Sequence, residues 1–178
     1  MRTSRMLCGN CATAVALYAV HHGLVPITSD TTTVDMINVN TGARLTGTIA
    51  TAGGTAPEEG TAAVPGTSAL GVPVLLGFRD PIGSTTGRAL PTGRAVDTLI
   101  GPDSPVEASL VDAGAPAALF DAKAFGFDGT ELPAEFAAVV PALTGLRRQA
   151  ALMMGLAQEN DPVSHAVPKV GVVGRPAG

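Results

Sequence analysis

The chain has 178 residues, 46% hydrophobic and 15% charged, a balance that builds one ordinary domain or two small ones and excludes disorder of the whole. Eleven basic against fifteen acidic residues leave a formal charge of −4, so the phosphate attraction behind non-specific nucleic-acid binding has no source, and no nucleic-acid partner is expected. Two cysteines cannot make a disulfide framework, and the longest apolar run, residues 11–20, is far short of the ~20 residues that span a bilayer. A reducing, cytoplasmic setting with no membrane partner is the expectation.

Residues 1–5 are basic and an apolar stretch follows, as at the start of a signal peptide. Gly9 and Asn10 interrupt the junction, however, and His21-His22-Gly23 is no small-residue cleavage site. Residues 11–20 are apolar on every side, with Gly23 placed to end a helix, so a buried helix over about 10–22 is expected. A helix with no face suited to water needs cover on all sides. Residues 31–38 alternate and are β-branched, Asn40-Thr41-Gly42 signals a turn, and residues 43–50 resume the extended pattern, which together predict a hairpin. Residues 51–67, rich in Gly, Ala, Pro and Thr, read as a surface loop, and residues 71–78 as the next strand. Short strands are expected at 88–90 and 95–100 around Pro91-Thr92-Gly93, followed by a breaker cluster at 101–105 that suggests a boundary near residue 102. Beyond it, residues 106–111 and 117–120 predict strands. A second, amphipathic helix starts near Pro141 and runs through Leu146, Ala150, Met153 and Met154, and residues 167–173 form a last strand.

The chemistry concentrates at Cys8-Gly9-Asn10, just where the first helix begins. A thiol there meets unpaired backbone N–H groups and the positive end of the helix dipole, both of which favour thiolate. Cys8 is therefore a candidate acid/base. The same N–H groups suit a substrate carboxylate, and Gly9 permits close backbone approach. The plain alternative is a small apolar cysteine packed at a helix end. Cys8 to Cys11 is also a C-x-x-C, but only seven residues precede it, so the strand of a thioredoxin-like βαβ unit has no room. A zinc site would need His21 and His22, which as helical neighbours point ~100° apart, so no metal is expected. Those histidines fit the helix C-terminus, where last carbonyls want donors. His165 stands isolated. The glycines at 83, 87 and 93 lack nucleotide-loop spacing, Met153-Met154 reads as core, and Ser84, Thr85 and Thr86 have no His and Asp suggesting a triad.

Several stretches in order resemble the PrpF-like family of 2-methylaconitate isomerases and 4-oxalomesaconate tautomerases, which shares the diaminopimelate-epimerase fold. They are CGN with an alanine-rich helix ending HHGLV (8–25), INVNTGARL (37–45), GVPVLLGFRDPIGSTTGRALPTGRAVDTL (71–99) and VEASLVDAGAPAALF (106–120). GTELPAE (129–135), RRQAALMMGLA (147–157) and SHAVPKVGVV (164–173) continue the series. The resemblance implies an α+β fold of two halves, each a curved, mostly antiparallel sheet wrapped around a central helix, with the active site between them. Residues 1–102 would be part of the first half and 103–178 an incomplete beginning of the second, making this a partial chain. Cys8 would match the family's catalytic acid/base, and Gly9 and Asn10 its carboxylate-binding positions. Leu7 stands where the family has a polar residue, Cys11 where it has a larger apolar one, and Ala115 where it usually has Asn.

The expectation is a cofactor-independent isomerase that moves a proton on an unsaturated di- or tricarboxylic acid. Its partner would be the small carboxylic acid itself, with homo-oligomer formation as a further expectation. A silent, truncated homologue acting as a structural or binding domain, and a dithiol redox protein, are the alternatives.

Overall fold

A computed structural model describes residues 8–63, 67–162 and 166–176. Residues 1–5, read above for a leader, and His165 lie outside the described residues. The chain divides into two compact units that meet in sequence at Asp80 and Pro81.

In the first unit, helix α1 (Gly9–His21) lies on a three-stranded antiparallel sheet. The predicted hairpin forms as β1 (Thr31–Ile37) and β2 (Arg44–Ala50), in register from Thr31 opposite Ala50 to Ile37 opposite Arg44. Its turn is fixed locally: the Asn38 side-chain oxygen accepts from the N–H groups of Asn40 and Thr41 at 2.9 and 3.1 Å, and the Asn38 carbonyl accepts from Gly42 at 2.7 Å. Residues 51–67 carry, besides loop, a 3-10 turn (Ala52–Gly54) and a two-residue ladder of β3 (Ala62–Ala63) with β4 (Leu70–Gly71). Thr51 ties this segment down, its buried hydroxyl bonding Thr32 Oγ1 and the Ser29 carbonyl, both at 2.9 Å. Strand β5 (Val74–Phe78) then pairs with β2, giving the order β1-β2-β5.

Alternation along β1 and β2 turns Val34, Leu45 and Ile49 inward, where Val34 and Ile49 meet Ala16, Ala19 and Val20 of α1. The approach is close because β2 carries Gly47 opposite Ala16: a Cβ on Gly47 would stand 2.3 Å from Ala16 Cβ. Cover of the helix is nevertheless one-sided, and the expectation of a helix wrapped all round is not met by the described residues. Val15 and Tyr18 are 56% and 58% exposed. Three strands roughly 5 Å apart span only about one helix diameter, so they shield one flank.

In the second unit a four-stranded sheet has the order β6 (Asp97–Ile100), β7 (Pro105–Asp112), β8 (Pro116–Asp121), β9 (Lys169–Val173). The first three strands are antiparallel, whereas β9 runs parallel to β8 after a crossover through helix α2 (Val140–Met153). Leu99, Leu110, Ala118 and Phe120 from the sheet and Leu146, Ala150 and Met154 from the helical region form one core, with Met153 against it, as the methionine pair suggested. Strand β6 is hydrogen-bonded to β7, and the break between the compact units falls ahead of both, at residue 80. The Gln149 side chain brackets the backbone of Ile100, accepting from its N–H at 2.8 Å and donating to its carbonyl at 2.7 Å.

The strand expected at 88–90 is absent. Residues 83–95 are instead a looped stretch held by two buried carboxylates. Asp112 accepts from the N–H groups of Thr85 and Thr86 and from Thr86 Oγ1, at 2.9, 2.7 and 2.9 Å. Asp97 accepts from Thr92 Oγ1 at 2.7 Å and from Nε and Nη2 of Arg94, the first at 2.8 Å. The threonines discounted as triad members are thus anchors for a loop. Gly83, with φ +67° and its missing Cβ 2.6 Å from the Arg88 nitrogen, lets that loop close.

Candidate active site

Cys8 is the N-cap of α1. Its backbone is extended, at φ −90° and ψ 112°, while its carbonyl already accepts from Ala12 at 3.1 Å, the division of roles that defines a helix N-cap. Where a serine or aspartate oxygen would ordinarily take the N–H three residues on, the sulfur does so: Cys8 Sγ accepts from the Cys11 N–H at 3.4 Å. No acidic side chain occupies the first turn, so the helix dipole meets no competing negative charge there.

Both thiols are exposed and free. Donation from the Cys11 side chain, then from the Cys11 N–H, holds the Cys8 thiol below the ordinary cysteine range, with a smaller contribution from the Asn10 N–H. The same contact acts oppositely on its partner. Hydrogen bonding to the Cys8 side chain and the nearby charge that a Cys8 thiolate carries push the Cys11 thiol up. The two thiols are thus shifted in opposite directions by one contact.

Gly9 follows in the first helical position, half-buried, and Asn10 is exposed, its carbonyl accepting from Thr13 Oγ1 at 2.8 Å. The three predicted site residues therefore stand together at one helix end. A Cβ at Gly9 would lie 3.8 Å from Leu76 Cδ2, an ordinary contact, so the fold itself does not demand glycine there. In front of the thiols is a concavity of about 280 Å³ lined by Cys8, Cys11, Val15, Met36, Asn38 and Leu45, among others. Its walls come from α1 and the hairpin, so the turn that pins Asn38 also shapes the site.

The histidines stand at the C-terminus of α1 as expected, His21 in its last turn and His22 as the C-cap, but the last carbonyls are served by backbone groups. Gly23, φ +65°, follows the C-cap of α1, with Leu24 N–H donating to the Ala19 carbonyl at 2.9 Å and Gly23 N–H to that of Val20 at 3.1 Å. Backbone groups thereby satisfy the last carbonyls. His21 Nε2 instead lies 3.1 Å from the Pro57 carbonyl, and the His22 ring rests 4.0 Å from that of Tyr18. Among the described residues no group of three or more His, Cys, Asp or Glu could hold a metal ion, and no helix is long and apolar enough to cross a membrane.

A helix seated on an antiparallel sheet, with a cysteine capping it, is the arrangement of the diaminopimelate-epimerase-like α+β class. The chain belongs to the PrpF family: the family model described as PrpF protein matches residues 4–178. It is 34% identical over 172 residues to the Bacillus subtilis (strain 168) protein named "Putative isomerase YraM", covering 95% of this chain and 47% of that one. It is 32% identical over 129 residues to the (4E)-oxalomesaconate Delta-isomerase of Novosphingobium sp. (strain KA1), covering 72% of this chain and 35% of the enzyme. Among solved structures, that of methylitaconate-delta-isomerase matches with a TM-score of 0.75 at 30% identity, over 85% of this chain and 40% of the other. The chain thus spans about half the length, or less, of the relatives it matches.

Proposed function

We propose that this chain supplies the base-bearing wall of a cofactor-independent isomerase that shifts a proton along an unsaturated di- or tricarboxylic acid of the 2-methylaconitate or 4-oxalomesaconate type. The observation that carries this reading is the Cys8 sulfur, capping α1 at the rim of a concavity and held toward thiolate by the donors around it. Relatives named for isomerisation of oxalomesaconate and methylitaconate support the substrate class.

The chemistry follows from the placement. A substrate carboxylate accepts from the N–H groups of Gly9 and Asn10 at the positive helix end, which brings the neighbouring carbon to Cys8. The thiolate removes a proton from that carbon, the electron pair moves into the conjugated system, and the double bond shifts when a proton returns at the far end. Fixed N–H dipoles stabilise the enolate, whose charge develops on the carboxylate they hold. Dissipating that charge needs no cofactor.

A chimera carrying this chain in place of the matching stretch of a full-length isomerase relative tests the assignment. Cys8→Ala lowers turnover at least about 100-fold, the scale of a lost general base, while Cys11→Ala costs far less. Equal losses from both would remove Cys8 from the role.

One observation favours a second reading, a silent binding domain: besides the two thiols, the described residues lining the concavity bring no titratable group to it. A chimera that binds the acid but fails to turn over with Cys8 intact would support that reading.

A further inference from the structure

We infer that Cys8 and Cys11 form a redox modification site, in which a low-molecular-weight disulfide converts the two thiols into an intrachain disulfide across the start of α1. Packing does not account for the second cysteine, which is absent from the core of the first unit. Cys11 is exposed, makes no core contact, and shares both a concavity and a hydrogen-bonded contact with Cys8. Their positions, N-cap and third helical residue, set the backbone separation. A 1.5 Å rise per residue on a 2.3 Å radius puts residues three apart about 5 Å from each other at Cα, within the 4.4–6.8 Å that disulfides bridge. The Ala12 N–H to Cys8 carbonyl bond shows that the turn is already closed at Cys8, so the bridge needs side-chain rotation and no unwinding.

The steps balance. The Cys8 thiolate attacks one sulfur of the small disulfide, forming a mixed disulfide and expelling the other sulfur as a thiolate. Cys11 then gives up its proton and attacks Cys8 Sγ, breaking the mixed bond and releasing the second small thiol. Two protein thiols are oxidised and one disulfide is reduced to two thiols, with no other reactant. The opposite effects of their contact suit the two sulfurs to these roles, since the attacking one ionises first and the resolving one later. If Cys8 is the base of the proposed isomerase, its oxidation removes that base and reduction restores it. This consequence rests on the proposed function, whereas the disulfide does not.

The experiment is chemical and independent of turnover. The purified 178-residue chain is equilibrated with oxidised glutathione, quenched with acid and alkylated, and its peptides are weighed. The expected result is loss of both thiols to a Cys8–Cys11 bridge with no glutathione retained, fully reversed by dithiothreitol. Cys11→Ser retains one glutathione at Cys8, and Cys8→Ser reacts at least tenfold more slowly at its remaining thiol. Glutathione retained on the unsubstituted chain, chain-to-chain disulfides, or a Cys8→Ser chain that reacts as fast as its parent would each overturn the inference. Because the unsubstituted chain gives the first readout, a variant that folded poorly would leave the test standing.

Discussion

Cys8 and Cys11 respond in opposite directions to a single contact, and that makes their ionisation separable. Iodoacetamide alkylation, followed against pH by peptide mass, should show Cys8 reacting with a midpoint below the ordinary thiol range and Cys11 with one above it. Replacing Cys11 with Ala removes the largest cause, the donor side chain, so the Cys8 midpoint should then rise. Coincident midpoints in the unsubstituted chain would mean that the sulfurs do not interact. Gly9 allows a second residue-scale expectation. The space for a methyl group exists, and an alanine near a helix start restricts the unfolded chain, so Gly9→Ala should leave stability unchanged or raise it by about 0.5 kcal/mol. If a carboxylate binds the Gly9 and Asn10 N–H groups as proposed, protection of Cys8 from alkylation by a tricarboxylate should nonetheless weaken several-fold, because the methyl group adds bulk beside those groups. Unweakened protection in a normally folded variant would place the carboxylate elsewhere.

At the scale of elements, the close seat of α1 on β2 depends on one missing side chain. Gly47→Ala would drive a methyl group to 2.3 Å from Ala16 Cβ, where helix and strand backbones both resist, and overpacking of that kind costs about 1–3 kcal/mol. Urea denaturation should show the loss, and no loss would mean the seat is looser than its geometry. Asp112→Ala removes the acceptor for three donors of the 83–88 loop and should cost about 2 kcal/mol, with the Gly83–Arg88 amides exchanging faster than those of β7. These two elements also show where a sequence is readable. The hairpin is legible because β-branched alternation and the Asn-Thr-Gly turn lie side by side, so each strand is predicted by its neighbour. The Cys8 cap is legible for the same reason, since donors, thiol and helix start fall within four residues. The loop at 83–95 is not, because Asp112 bonds Thr86 across 26 positions and no local pattern announces it. The histidines are half legible: they fall at the helix end as expected, but a Schellman turn at Gly23 meets the carbonyls they were expected to serve.

For the molecule as a whole, the side of α1 left exposed among the described residues is the governing fact. Cys11, Val15, Tyr18 and His22 recur at four- and three-residue steps and are all exposed, so they form one stripe along the helix from the thiol next to the candidate base to the helix end. Water against Val15 and Tyr18 is unfavourable at about 25 cal/mol per Å² of apolar surface, and a second body placed on the stripe would also stand over the thiols. The proposed proton shift would have the same need, since it wants a donor facing Cys8 and, among the described residues, the titratable groups lining the concavity are the two thiols. The 178-residue chain by itself should therefore self-associate in sedimentation at micromolar concentration, and Val15→Glu should shift it toward monomer. It should also leave 2-methylaconitate and 4-oxalomesaconate without deuterium when incubated in deuterated water. Deuterium uptake by a monomeric chain would show that Cys8 and Cys11 suffice as base and donor, and the need for a facing wall would then fall away.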